Sequence, residues 1–159
     1  MDALFIARCL HVLGVVVWIG GVGMVTAVIL PAARSFRASG MSVEMFEAIE
    51  RRFVRIARAM TLIVGLSGLY MLWALHLWDR FADISFWRMH AMVAIWALFT
   101  IMLFIIEPFF LHDKFAARAR IDPAGTFARM QRFHWIVFVA SLITIFGAVA
   151  GAHGYAFFR

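Results

Sequence analysis

Four long apolar runs dominate the chain and leave little freedom in what it can fold into. They cover roughly residues 3–30, 56–78, 84–111 and 135–158. Each reaches the ~20 residues an α-helix needs to cross the hydrocarbon core of a bilayer. Inside hydrocarbon the backbone N–H and C=O groups must be paired within their own segment, so four such runs read as four helices. Composition agrees: of 159 residues, 65% are hydrophobic and only 15% charged, which is not the balance of a water-soluble domain. The expected fold is all-α, an integral membrane four-helix up-down bundle forming one transmembrane domain over residues 1–159. The first run is too long for a signal peptide, lacks an Ala-x-Ala cleavage pattern and has only Arg8 ahead of its apolar stretch. It is expected to be retained as helix 1.

The net charge of +6 matters less than where the basic residues lie. Arg34, Arg37, Arg51, Arg52, Arg55 and Arg58 fall between runs one and two, and Lys114, Arg118, Arg120, Arg129 and Arg132 between runs three and four. Only Arg8, Arg80, Arg88 and Arg159 fall at the other face. The positive-inside rule places both basic loops in the cytoplasm and both termini outside, with the Asp79–Asp83 turn. Nucleic acid has no claim on this charge, and the partner read directly is the lipid bilayer. A single cysteine, Cys9, excludes an internal disulfide and any paired-cysteine motif.

Local signals punctuate the runs. Pro31 is expected to end helix 1, and Ser42 to cap a short amphipathic helix, "SVEMFEAIERRF", leading into helix 2. Asp122 followed by Pro123 marks a helix start well ahead of the fourth run. Gly20 and Gly21, Gly65 and Gly68, and the "GAVAG" at Gly147–Gly151 permit close helix approach. Glu107, near the inner end of helix 3, is expected to pair with Arg55 or Arg58, with a proton-relay role as the other reading. Met24, Met60, Met71, Met92 and Met102 form no regular cluster and read as packing or lipid-facing residues.

The stretch "ARCLHVLGVVVWIGGVG", residues 7–23, carries His11 about two turns inside an apolar helix. With alternating helix direction, His11, His76, His90 and His153, one from each helix, all fall near the outer face, on the order of 4 to 12 Å inside the helix ends. His112 and His134 flank the second cytoplasmic loop. Polar groups within a membrane are costly and mark cavities or functional sites, and neutral imidazole is a good ligand for haem iron, copper or zinc. In an up-down bundle helices 1 and 3 lie diagonally, as do 2 and 4, so His11 with His90, or His76 with His153, can clamp a flat macrocycle. Gly14, Val15, Trp18 and Gly21 share the face of His11, and Val93, Ala94 and Ala97 that of His90, leaving room beside a ligand. Arg8 and Arg88 are placed to pair with haem propionates.

These residues carry a resemblance. "LHVLGVVVWIGGVGMVTAVILPA" in helix 1, "RRFVRIARAMTLIVGLSGLYML" in helix 2 and "FWRMHAMVAI" opening helix 3 resemble the superfamily of bacterial four-helix membrane proteins that contains the HemJ-type protoporphyrinogen oxidases and the copper-resistance D (CopD) proteins. The likeness covers helices 1 to 3 and fades in helix 4. Its motifs are a histidine early in helix 1 followed by Trp-x-Gly-Gly and a Trp-x-x-His, here Trp87 to His90, at the start of helix 3. For the oxidase branch the resemblance implies b-type haem bound through His11 and His90. That branch carries lysine two residues after the second histidine, and this chain has Met92, a departure that bears against protoporphyrinogen oxidation and not against haem ligation.

The resulting expectation is a bacterial inner-membrane protein that binds haem b and transfers electrons, or acts as a haem-dependent oxidoreductase, at the outer face. Its redox partner and oligomeric state, including a homo-oligomer, stay open. Two other readings stand beside it: a copper transport protein using the same outer histidines, and a membrane subunit without a cofactor.

Overall fold

The structure, a computed structural model, describes residues 2–35, 41–111, 118 and 121–155. Arg37, His112, Lys114, Arg120 and Arg159 lie outside the described residues. Among those described there is helix and turn but no strand. Four helices are long and apolar enough to cross a membrane.

Helix 1 starts at Ala3, where the Asp2 side chain accepts from the Leu4 N–H. It runs as α-helix to Met24, widens into a π segment at Val25–Ile29 and resumes as Leu30–Ser35. Pro31 therefore lies inside the helix and does not end it. The physical reason is the π segment: the Leu30 N–H reaches back five residues to the Val25 carbonyl, and the wider turn accommodates a ring that would clash with the preceding turn of a regular α-helix.

Helix 2 is a single α-helix, Met41–Ala74, 34 residues long. The amphipathic segment expected to be a separate short helix is its N-terminal part. The helix already includes Met41, so Ser42 does not mark its start. At 1.5 Å per residue it measures about 50 Å, well beyond a ~30 Å hydrocarbon core. Two 3₁₀ turns, Trp78–Ala82 and Ile84–Phe86, connect it to helix 3. Helix 3 is α-helical over Trp87–Ile101 and π over Met102–Leu111, with Pro108 inside the π stretch. Helix 4 spans Pro123–Ala152, with Asp122 as N-cap accepting from Gly125 at 2.8 Å and Pro123 in its first turn. The run expected over 135–158 is thus the later part of a helix that starts twelve residues earlier and stops at Ala152.

Close contacts define the neighbours. Helix 1 packs on helix 2 with Gly14 against Val64 and Gly21 against Phe53. On the other side of helix 2, Gly65 lies under Trp96, whose indole N–H donates to the Thr61 carbonyl at 2.9 Å. Helix 4 meets helix 3 where Trp87 covers Gly147, and meets helix 1 where Phe138 covers Gly23. The core joins Trp18, Ile19 and Val22 to Val54, Ala57, Val64 and Leu103. A second cluster of Val25, Leu30 and Phe127 closes the end where helices 2 and 4 begin. Fully or nearly buried residues include Thr26, Thr61, Gln131 and Ser141, while Leu66 and Phe146 are 68% and 67% exposed. Polar groups inside and large apolar groups outside invert the pattern of a water-soluble bundle.

Candidate functional site

The four histidines expected at one level occupy three kinds of position. His11 lies between helices 1 and 2, its ring against Gly68, with Nδ1 3.0 Å from the Val64 carbonyl and 3.1 Å from Ser67 Oγ. A carbonyl only accepts, and the Ser67 hydroxyl donates to the Ile63 carbonyl at 2.6 Å. The proton is therefore on Nδ1, and Nε2 carries the lone pair with no protein partner among the described residues. This is the orientation in which histidine binds a metal, Nδ1–H anchored to a carbonyl and Nε2 free.

His90 is held differently. Its Nδ1 lies 3.3 Å from the Phe86 carbonyl and its Nε2 3.1 Å from the Phe81 carbonyl, with the Phe81 ring edge-on at 5.5 Å. A neutral imidazole donates to one carbonyl only, and both of these carbonyls belong to the segment of 3₁₀ turns before helix 3. His11 and His90 thus have separate partners, helix 2 for one and the 78–86 turns for the other.

His76 and His153 are both exposed and both sit at helix ends. His76 has φ +51°, and the Leu77 N–H reaches the Leu72 carbonyl while the His76 N–H reaches that of Trp73. That is a Schellman cap with histidine in the left-handed position usually held by glycine. His153 is the C-cap of helix 4, its Nδ1 2.9 Å from the Val149 carbonyl, followed by Gly154 at φ +85°. Capping accounts for their common level, because both helices end there.

The other expected site residues are placed as follows. Gly14 faces helix 2, where a Cβ would come within 2.8 Å of Val64. Trp18 is 3% exposed and edge-on to Phe99 at 4.8 Å, with its indole Nε1 buried and unpaired. Arg8 is exposed. Arg88 lies across Gly151, where any side chain would collide with the guanidinium, and over the Phe86 ring at 5.1 Å; Arg80 covers the same ring at 4.9 Å. Neither arginine has a carboxylate partner among the described residues.

At the other end of the molecule lies a site that sequence reasoning missed. A cavity of about 90 Å³ opens between Val22, Val25 and Ile29 of helix 1, Phe53 and Val54 of helix 2, Met102, Leu103 and Glu107 of helix 3, and Phe133, His134 and Val137 of helix 4. Its walls include both π segments. Each prolongs a helix through a proline that lacks an N–H, and each therefore strands the carbonyl five residues earlier. In helix 1 that carbonyl belongs to Thr26, and the Gln131 side-chain amide of helix 4 donates to it. In helix 3 it belongs to Leu103, and Arg58 Nε of helix 2 donates to it at 2.9 Å. Arg58 also forms the expected ion pair with Glu107 and lies over the Phe104 ring at 5.8 Å. Pro31 and Pro108, each within an apolar run, were the available signal: an internal proline in a spanning helix requires a polar group from a neighbour.

Among the described residues no three histidine, cysteine or acidic side chains come together as a metal-ion site. For the haem expected from the resemblance, the fit is one ligand oriented for iron at His11 and a second candidate, His90, with a backbone carbonyl facing each ring nitrogen. Comparison of the chain with family models, with curated proteins and with solved structures finds no match.

Proposed function

We propose that the chain is a bacterial inner-membrane protein, a four-helix up-down bundle with both termini outside, that binds b-type haem at its outer end and serves in electron transfer. The resemblance to the HemJ and CopD superfamily is part of this reading. The observation that carries it is the His11 ring, anchored through Nδ1 to the Val64 carbonyl and Ser67 with Nε2 free. His11 and His90 are the residues that would hold the iron. Arg88, lying on Gly151, and Arg8 would face the propionates. When bound, haem supplies one-electron chemistry. The chain's own contribution is to hold the His11 imidazole in one tautomer, to keep Gly68 beside it without a side chain, and to set two guanidiniums around Phe86 at the outer end.

The optical spectrum of the purified full-length protein tests the reading. The expected result is a Soret band, with sharp α and β bands on reduction, that His11→Ala abolishes and Ser67→Ala weakens or shifts. His11→Ala with a wild-type reduced spectrum and full haem content would overturn the ligand assignment. Bound copper without a Soret band would select the transport reading. Neither cofactor would leave the outer histidines as caps and interhelical bonds.

A further inference from the structure

Volume decides what the inner cavity can hold. At about 90 Å³ it is smaller than the ~150 Å³ apolar cavity that accepts a benzene ring, and it has room for about three waters at ~30 Å³ each. A wholly apolar cavity stays dry, but Glu107 and His134 bring polar groups to the wall of this one. Glu107 uses Oε2 on Arg58. His134 Nδ1 lies 2.9 Å from the Met130 carbonyl, so the proton is on Nδ1 and Nε2 carries the lone pair. One turn earlier on the same face of helix 4, Gln131 is 8% exposed with a buried Oε1 that has no donor. Gln131 Oε1 is thus a buried acceptor without a donor, and Glu107 and His134 bring polar groups to a mostly apolar cavity wide enough for water.

The charges around the cavity say what that water does. Helix 3 contributes Glu107, helix 4 contributes His134, and helix 1 lines it only with Val22, Val25 and Ile29. Helix 2 contributes Arg58, fixed by the Leu103 carbonyl and the Phe104 ring as well as by Glu107; Arg55 and Arg132 nearby are exposed. The guanidinium is thus held by contacts that do not depend on the carboxylate. Glu107 is left to act toward the cavity as a fixed anion beside an imidazole with a free lone pair.

We propose that this cavity is a hydrated proton-exchange site, in which water from the adjoining membrane face delivers a proton to His134 Nε2 with Glu107 as counter-charge. The step moves a proton from hydronium to the Nε2 lone pair and leaves neutral water and an imidazolium; nothing is oxidised or reduced. The site stands apart from the outer histidines and needs no cofactor.

Nitrogen-15 NMR of the full-length protein, labelled in histidine and reconstituted in bilayers of phosphatidylcholine and phosphatidylglycerol, tests it, with His134 assigned by its loss in His134→Gln. The ring is expected to show the Nδ1–H form at neutral pH, to exchange with water and to convert reversibly to imidazolium on acidification. Glu107→Gln is expected to lower its proton affinity by about tenfold or more, the effect of removing a nearby opposite charge. Glu107→Asp should restore most of that, with His76 and His153 unmoved throughout. Val137→Leu, adding a methylene at the cavity wall, should reduce the water contact. A wild-type His134 ring that does not exchange with water overturns the proposal, as does an affinity unchanged in a helical Glu107→Gln variant. Should Glu107→Gln fail to fold, water exchange in the wild type and in Val137→Leu decides the question.

Discussion

Gly21 shows how single residues set the distance between helices 1 and 2. A Cβ there would run into the Phe53 ring, and at Gly14 it would come within 2.8 Å of Val64. Gly21→Ala is expected to destabilise the protein by about 1–3 kcal/mol, the usual cost of overpacking a core, and Gly20→Ala, where nothing lies within 4 Å, to cost much less. Thermal unfolding in detergent, read by circular dichroism, checks the contrast. The turn before helix 3 has its own pH-dependent contact. Asp83 accepts from the Ser85 N–H at 2.8 Å, and that bond together with the Ser85 hydroxyl holds its carboxyl below the ordinary value. Because the folded value is depressed, the contribution of Asp83 is present above the unfolded carboxylate value and is lost as pH falls through the folded one. The protection of the Ser85 amide against hydrogen exchange, taken relative to its intrinsic rate at each pH, should therefore fall on acidification in the wild type and stay level in Asp83→Asn.

Helices 1 and 3 share a device that belongs to no single residue: a π segment, a proline and a side chain from a neighbouring helix, Gln131 of helix 4 or Arg58 of helix 2, that caps the stranded carbonyl. Gln131→Leu removes the cap from Thr26 and is expected to cost about 1 kcal/mol. That lies between the ~0.6 kcal/mol typical of interhelical hydrogen bonds in membranes and the ~1–3 kcal/mol of an orphaned buried acceptor. Pro31→Ala returns an N–H to the helix. If the cap exists because the proline removed that donor, the two changes are coupled, and the double variant should lose less stability than the sum of the singles. Additive losses in the same denaturation series would show that Gln131 serves another purpose. In the sequence these elements were partly visible. Asp122 and Pro123 announced the start of helix 4, and Glu107 with Arg58 was foreseen from the cost of an unpaired carboxylate in a membrane. The continuation through Pro31 was not, because proline reads as a stop unless the register change before it and the partner that compensates are known.

Over the whole molecule, the N-terminal parts of helices 2 and 4 extend past membrane length on the face that carries most of the arginines. Helix 4 has 30 residues, about 45 Å. The proposed orientation puts these extensions in the cytoplasm. A reporter fused after Arg159 should be active on the outer side of the membrane, and activity confined to the cytoplasm would reverse the topology. The inner cavity would then face outward along with its proton exchange.

By itself the sequence determined the number of membrane-length helices and the face that gathers the positive charge. Those properties depend on the hydropathy and charge of consecutive residues, which need no neighbour to be read. It placed four histidines toward one end of the helices, but His11 packs against Gly68, eight residues before His76 on helix 2 and so about 12 Å deeper. Only the tertiary structure decided what each histidine touches: two end helices, one bonds across to helix 2, and one is held by the turn before helix 3. The same holds for the cavity, lined by Glu107 and His134, and for Arg58 and Gln131, which cap the carbonyls of Leu103 and Thr26; the four come from three helices. Periodicity gives the face a residue occupies on its own helix, but helix rotation, and with it the partner across the interface, is set by how glycines and rings from separate segments interlock.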